Sequence, residues 1–472
     1  MPQSTALRAP AATTSAGAAP PRRAANIGLW LVMLAQLMLV LDATVVNVAL
    51  PHIATDLRFS PAQLSWVLNA YALAFGGVLL LGGRVGDVFG RRRTFLIGVA
   101  AFTAFSLLGG MATSPLLLVL SRALQGLGAA FAAPSVLALV TTSAKDDGAR
   151  HRALALFSAI ASMGGALGLI LGGVLTDAAS WRWTLFINVP IGAVILVAVP
   201  RLVPETPRRS GRFDVLGAVT ATGGAVAIVW ALLQAADHGW TDARTLGGLA
   251  VGAALLVGLA ITERRVAHPL LRPELLRSPS RVGALAAMAA TYGGMLAMFF
   301  LMVQYLEDVL GLSPLVTGLA FLPMPLSVFA MSRVIPRLVE RFGAERLVIS
   351  GALLRVVGFV PLTQIGAHTP FPVVVGALVA TGISAGMTFM PLTTLALRNV
   401  EPEHAGAASG LFQTMQQLGG AVGLAIVAST YAAFAVPGDV LAGGRAGFVS
   451  ATVLSGLALV AAVGLSLRAR RP

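Results

Sequence analysis

Asp42 is the only carboxylate well inside a long apolar run of this chain, in the stretch LDATVVNVALPHIATDL (41–57). A charged side chain at bilayer depth costs on the order of 2.5–3.5 kcal/mol on insertion scales, so such a group normally faces a cavity or a partner. Burial disfavours the charged form of a carboxyl and a nearby cation favours it. A carboxyl balanced between the two can load and release a proton. The alternative is a hydrated Asp near a helix end that merely anchors its span. Arg122, in SRALQGLGAA (121–130), is the corresponding cation inside an apolar run. A guanidinium does not lose its charge, so it must find an acceptor there, for function or for packing. Gln125 is one turn away and reads as its hydrogen-bonding neighbour. Asn47 either shares a cavity with Asp42 or pairs helices.

Two further features could touch a small molecule, and a third concerns packing. Met288, Met295, Met298 and Met302 share one apolar run with Phe299 and Gln304. A polarizable, adaptable stripe suits a promiscuous pocket, and equally suits plain packing. Arg355 sits about nine residues into another run, deeper than easy snorkelling. It is either clamped by a carboxylate such as Glu340 or Glu345, or it faces a cavity and reads acidic cargo. Gly164, Gly165, Gly168, Gly172 and Gly173 form a run whose spacing permits close helix approach.

Other chemistries find no support. The chain has no Cys and six scattered His, so no thiol chemistry and no metal centre are expected. There is no phosphate-cradling GxxxxGK[ST], and the breaks between apolar runs leave no room for a catalytic domain. The expectation is a non-enzyme without cofactors.

The elements that must hold these residues are membrane helices. Of 472 residues, 57% are apolar and only 11% charged, against about 25% charged in soluble domains. The apolar residues fall in blocks of roughly 18–25, the length that crosses a hydrocarbon core as a helix. Fourteen spans are expected: 26–50, 64–83, 94–111, 116–140, 152–175, 184–203, 215–236, 245–263, 282–304, 315–335, 347–366, 371–397, 405–430 and 447–467. The net charge of +14 is topological and does not mark a nucleic-acid surface. Of 33 Lys and Arg, 27 fall in breaks that alternate to one side, and only Arg58, Arg182, Arg244 and Arg445 fall to the other. The positive-inside rule then places both termini in the cytoplasm.

The chain also repeats itself. GRVGDVFGRRRTFLIG (83–98) aligns with PRLVERFGAERLVISG (336–351), and Ser60-Pro61 with Ser313-Pro314. LFSAIASMGGALGL (156–169) aligns with LFQTMQQLGGAVGL (411–424). Each pair joins one helix to the eighth after it. This implies two six-helix halves, 26–203 and 282–467, with an inserted pair in 204–263. A disordered basic tail (1–25), a linker (264–281) and a short C-terminus (468–472) complete the chain. Parallel halves of this kind carry their substrate site between them near the midplane. Asp42 has Met295 as its counterpart, so the ionisable machinery lies in the first half.

These stretches, with SWRWTLFINVPIG (180–192), resemble signatures of the major facilitator superfamily and, within it, of fourteen-helix drug:proton antiporters. The resemblance covers about 26–467. It implies that Asp42 and Arg122 couple protons, and that Gly83, Asp87, Gly90, Arg91, Arg92 and Arg93 form a cytoplasmic gate. It also implies that Gly164, Gly168, Gly172 and Gly173 are the antiporter glycine motif, with Leu169 where that motif has proline. The expected activity is proton-coupled export of hydrophobic or amphipathic small molecules, drugs or antibiotics among them. The expected partners are protons, cargo and membrane lipids, and the expected functional unit is a monomer in the plasma or inner membrane. A proton symporter for a metabolite is the alternative within transport, and a sensor or embedded enzyme the alternative outside it.

Overall fold

The computed structural model describes residues 22–142, 147–205, 215–263, 273–400, 405–435 and 440–469. Every regular element among them is helical, as the backbone of a spanning segment must be when no water is there to bond it. The first half comprises α1 (Arg22–Leu57), α2 (Trp66–Phe89), α3 (Arg91–Gly110), α4 (Pro115–Thr142), α5 (Asp147–Ala178) and α6 (Asn188–Leu202). Next come α7 (Val215–His238) and α8 (Ala243–Thr262). The second half comprises α9 (Pro279–Gln304), α10 (Pro323–Phe342), α11 (Ala344–Phe359), α12 (Phe371–Leu397), α13 (Ala405–Phe434) and α14 (Val440–Ala469). Among the described residues, twelve helical segments are long and apolar enough to cross a membrane. The number is thirteen if α2, bent by 51° between Trp66–Leu79 and Leu81–Phe89, is one span.

Twelve of the expected spans fall on these apolar segments, a thirteenth on the bent α2, and 152–175 on α5, whose apolar part among the described residues is only Leu167–Ala178. Four helices carry irregularities that the apolar pattern does not encode. Before α6 the chain makes a separate turn, Trp183–Phe186. The expected span 315–335 is two pieces, Pro314–Ala320 and then α10, which runs on to Phe342. Beyond α9 the chain continues as a π turn, Tyr305–Val309. Beyond α11 it tightens into a 3₁₀ turn, Val360–Gln364.

The sequence repeat is a backbone repeat. Gly90 breaks α2 from α3 at φ +104°, and Gly343 breaks α10 from α11 at φ +84°. Both lie in the left-handed region that glycine enters at little cost. Ser60 and Ser313 are both extended N-caps with Pro at the first helical position, and their hydroxyls accept from the amides of Gln63 and Val316. Ser and Pro suit these two positions because one supplies an acceptor and the other lacks a donor that would go unpaired.

The halves meet along two seams. Thr414 on α13 donates to the carbonyl of Gly76 on α2 at 3.0 Å. Gly173 on α5 lies against the backbone of Pro314, and Gly318 against that of Leu169. The larger apolar core cluster draws on both halves, whereas two smaller clusters belong to one half each. Helix α7 touches both halves, with Thr222 against Gly77 on α2 and the Leu232 carbonyl accepting from Ser429 on α13. Helix α8 packs on α7 through Gly248 and Gly252.

Candidate functional site

Asp42 and Arg122 are brought together. Arg122 Nη1 donates to Asp42 Oδ2 at 2.7 Å, and both side chains are sealed from solvent, at 0% and 1% exposure. The other carboxylate oxygen, Oδ1, accepts from Gln125 Nε2 at 2.7 Å and from Asn188 Nδ2 at 2.9 Å. Both amides also donate to Ser106 Oγ, at 3.1 and 2.9 Å, and Ser106 donates to the carbonyl of Leu185 at 2.8 Å. Arg122 reaches the Gln125 carbonyl oxygen at 2.6 Å and the Val67 backbone carbonyl at 3.2 Å, and its guanidinium lies 4.5 Å over the Tyr71 ring. Helices α1, α2, α3, α4 and α6 thus supply one network. The turn ahead of α6 places Leu185 under Ser106 and opens α6 with Asn188 facing Asp42. A buried ion pair stands when its remaining lone pairs and protons are hydrogen-bonded. This one meets that condition, apart from the Asn188 carbonyl oxygen, which has no partner.

The loop between α2 and α3 is ordered by charge. Arg91 pairs with Asp87 at 2.6 Å, one helical turn back. The Glu205 carboxylate accepts from the backbone amides of Arg92 and Arg93, at 2.9 and 3.1 Å. It therefore caps the N-terminus of α3, where the helix dipole favours an anion. The Arg92 guanidinium donates to the carbonyls of Pro200 and Val203, at 3.2 and 2.9 Å. A Cβ on Gly90 would lie 2.7 Å from the Glu205 carboxylate, so the glycine is required by contact as well as by φ. Gly83 is not pressed in this way, since a Cβ there would meet only Pro134, at 3.7 Å.

The glycines of α5 seat α1. Gly164 faces Leu37 and Val40, Gly168 faces Thr44, and Gly172 approaches the Val45 carbonyl, while Gly173 turns toward the second half at Pro314. The repeat has the same joint, with Gly419 and Gly423 on α13 against Ala289 and Gly293 on α9. Leu169, in the place of the motif proline, is buried, and α5 runs through it without interruption.

Other candidates lie elsewhere than a cavity. Asn47 neither joins the Asp42 network nor pairs helices. Its amide donates to its own helix at Ala43 and Thr44, at 3.0 and 3.2 Å, because a side chain on α1 reaches the preceding turn more easily than a neighbour. Met298 and Met302 are fully buried in the shared core and Met295 packs beside them; none lines the cavity described below. Arg355 has no carboxylate clamp among the described residues, Glu340 and Glu345 included. It donates to the Thr291 carbonyl at 2.6 Å, leaving Nε and Nη2 without hydrogen bonds, and Glu345 pairs instead with Arg398 at 3.0 Å.

At the charge-poor end, a cavity of about 710 Å³ separates the halves. The end of α1 walls it with His52 and Asp56, the stretch after α5 with Arg182, and the π turn with Glu307 and Asp308. Arg182 is held to Asp56 at 2.6 Å.

Residues 32–424 match the family model of the Major Facilitator Superfamily. The chain belongs to this superfamily. Puromycin resistance protein pur8 of Streptomyces alboniger is 40% identical over 406 residues, covering 85% of this chain and 80% of its own. Cephamycin export protein CmcT of Amycolatopsis lactamdurans is 39% identical over 411 residues, covering 85% and 84%. Lincomycin resistance protein of Streptomyces lincolnensis is 33% identical over 461 residues, covering 96% and 93%. Among solved structures, a peptide transporter POT mutant with bound sulfate superposes with a TM-score of 0.69 at 17% identity over 94% of each chain. The human organic anion transporter MFSD10 does so with 0.57 at 19% identity, over 95% of this chain and all of its own. These two likenesses show the fold.

Within this superfamily member, sequence reasoning missed Asn188, Ser106, Glu205 and Glu307. Asn188 had a signal, an amide at the start of an apolar run in SWRWTLFINVPIG. Glu205 had one as well, being the only acid in the charged break between α6 and α7 until Asp214.

Proposed function

We propose that this chain exports hydrophobic or amphipathic small molecules, drugs or antibiotics among them, across a cell membrane in exchange for protons. The resistance and export functions in the names of its relatives support the direction. The sealed Asp42–Arg122 pair supports the coupling and carries the reading. Protonating Asp42 cancels the charge that holds Arg122 and frees the guanidinium to lean on the Val67 carbonyl, Gln125 and the Tyr71 ring. Loss of that proton restores the pair. One network therefore has two arrangements, as an alternating-access cycle requires. The Asp87–Arg91 and Glu205–α3 contacts act as the cytoplasmic latch, and the α5 glycines let α1 slide against α5.

Fourteen spans complete the reading: the bent α2 counts as one crossing, and α5, 32 residues long, as another. The halves are 26–203 and 282–467 with the inserted pair between them. Both termini are cytoplasmic, the membrane is the plasma or inner membrane, and a monomer suffices. The proton gradient supplies the energy without a cofactor.

Inside-out vesicles with an acidified lumen test this. Addition of puromycin, or another compound the chain makes cells resist, is expected to release lumenal protons. Uncouplers should stop export, and ATP depletion at constant gradient should not. Asp42→Asn and Arg122→Ala are each expected to abolish the exchange. Exchange by Asp42→Asn at the wild-type rate would make Asp42 structural, and gradient-driven accumulation of cargo in whole cells would make the chain a symporter.

A further inference from the structure

The cavity at the charge-poor end is unlike the Asp42 network in one respect: its carboxylate is not satisfied. Glu307 is 5% exposed at its side chain and lines the cavity. The Thr317 hydroxyl is its one neutral neighbouring donor among the described residues, with no well-formed hydrogen bond to either carboxylate oxygen. His52 Nδ1 lies 3.4 Å away, an ion pair only when the imidazole is protonated. His52 is 46% exposed.

The rest of the surroundings sharpen the imbalance. Asp308 on the same π turn and Asp177 on α5 both repel the Glu307 charge. Across the cavity, Asp56 is matched by Arg182, whose guanidinium also stacks 4.5 Å from the Trp181 ring. That arginine is committed, so His52 is the group left to answer Glu307 and Asp308. The π turn that presents both acids is anchored by the Tyr305 hydroxyl, which donates to the Gly366 carbonyl at 2.9 Å. Single π turns inside α-helices are frequent at functional sites. A volume of about 710 Å³ is far larger than a proton or metal ion needs and falls within the range of pockets for drug-sized ligands.

We infer that this cavity is a subsite for the cationic nitrogen of amine-bearing cargo, with Glu307 as its counter-ion and His52 as the competing cation. The inference rests on the export reading for why a cargo molecule is there. Because the site lies between the halves beside α1, an amine passing to the charge-poor side meets Glu307 there. Protonated His52 then takes the carboxylate back and evicts the amine. Removing a buried carboxylate's cation leaves the acid uncompensated, so one of the two partners holds it at each stage.

The test is binding of naphthylmethylammonium against its neutral analogue naphthylmethanol, by equilibrium dialysis on the purified full chain. The wild type is expected to prefer the ammonium by about tenfold or more, the scale of one charge-assisted hydrogen bond. Glu307→Gln should bind the two alike, and Glu307→Asp, which keeps the charge, should retain the preference. His52→Arg fixes a permanent cation beside an intact Glu307 and should abolish the preference too, so the test survives if Glu307→Gln folds poorly. No binding, no preference in the wild type, a preference that survives Glu307→Gln, or one that survives His52→Arg would overturn the site. A chain that shows the preference but exports nothing overturns the export reading alone. One that exports resisted compounds without the preference overturns the site alone.

Discussion

Asn47 and Asn188 are both asparagines sealed inside apolar helices, and they have opposite fates. Asn47 spends its amide on its own helix, whereas Asn188 crosses to Asp42 and Ser106. Asn188→Ala is therefore expected to lower thermal stability by about 1–3 kcal/mol, the cost of leaving buried polar groups short of a partner, and to impair export. Asn47→Ala removes only local bonds and should cost less than about 1 kcal/mol with export retained. Unfolding midpoints and vesicle exchange on the two variants decide it; equal losses would mean that the network does not depend on Asn188. The contrast also explains what the sequence made legible. Asp42, Arg122 and Gln125 stood out because charge inside an apolar run is costly and must be answered. Amides and hydroxyls are different, since the helix itself can satisfy them, as Thr44 shows by donating to the Val40 carbonyl. An amide in an apolar run is visible in the sequence, as Asn188 is, but its type alone does not say whether it bonds its own turn or reaches across the bundle. The Met stripe left two readings open for a related reason, because period and composition are the same for a core face and a pocket face.

At the scale of elements, the breaks between helices were legible where a residue type is physically required. Gly90 and Gly343 sit at matching places in the two halves because both backbones turn through positive φ. Gly90→Ala is expected to destabilise by about 1–3 kcal/mol through backbone strain, with further loss because the new Cβ crowds Glu205. Gly83→Ala, with open space and a helical backbone, should be neutral or stabilise by up to about 1 kcal/mol. If thermal unfolding ranks the two the other way, the gating motif's glycines serve packing between helices and not the turn. Glu205 stands out as the lone acid of its break, but its pairing with the turn was not legible, because it is 113 residues from the amide of Arg92. The π turn at Tyr305–Val309 escaped for the same reason, its Tyr305 hydroxyl bonding Gly366. The split ahead of α10 falls instead at Pro323, where a helix start is locally encoded. An apolar run specifies that a helix crosses, and local bonds set by distant neighbours specify where it loosens.

At the scale of the whole molecule, the count of crossings and the distribution of charge constrain one another. The proposed 27-to-4 split of Lys and Arg goes with an even number of spans, because an odd number would exchange the two sides beyond the miscounted helix. Helices α2 and α5 decide the parity. If the bend in α2 made a re-entrant hairpin, or if α5 failed to cross, the arginines of 201–212 would face the side that carries Arg58. The contacts of α7 bear on the inserted pair: it lies against α2 and α13 at once and is long and apolar enough to cross. Reporter fusions after Gly90, Gly148, Arg208, Arg272 and Pro472 are accordingly expected to report cytoplasm, and fusions after Arg58, Trp240 and Pro437 the outside. Inversion at Trp240 alone, with Arg208 and Arg272 unchanged, would show that α7 and α8 are not a spanning pair. Inversion of everything after Gly148 would show instead that α5 stays on one side. In that event its glycines could not seat α1 across the membrane, and the sliding joint between the two helices would be lost with the fourteenth span.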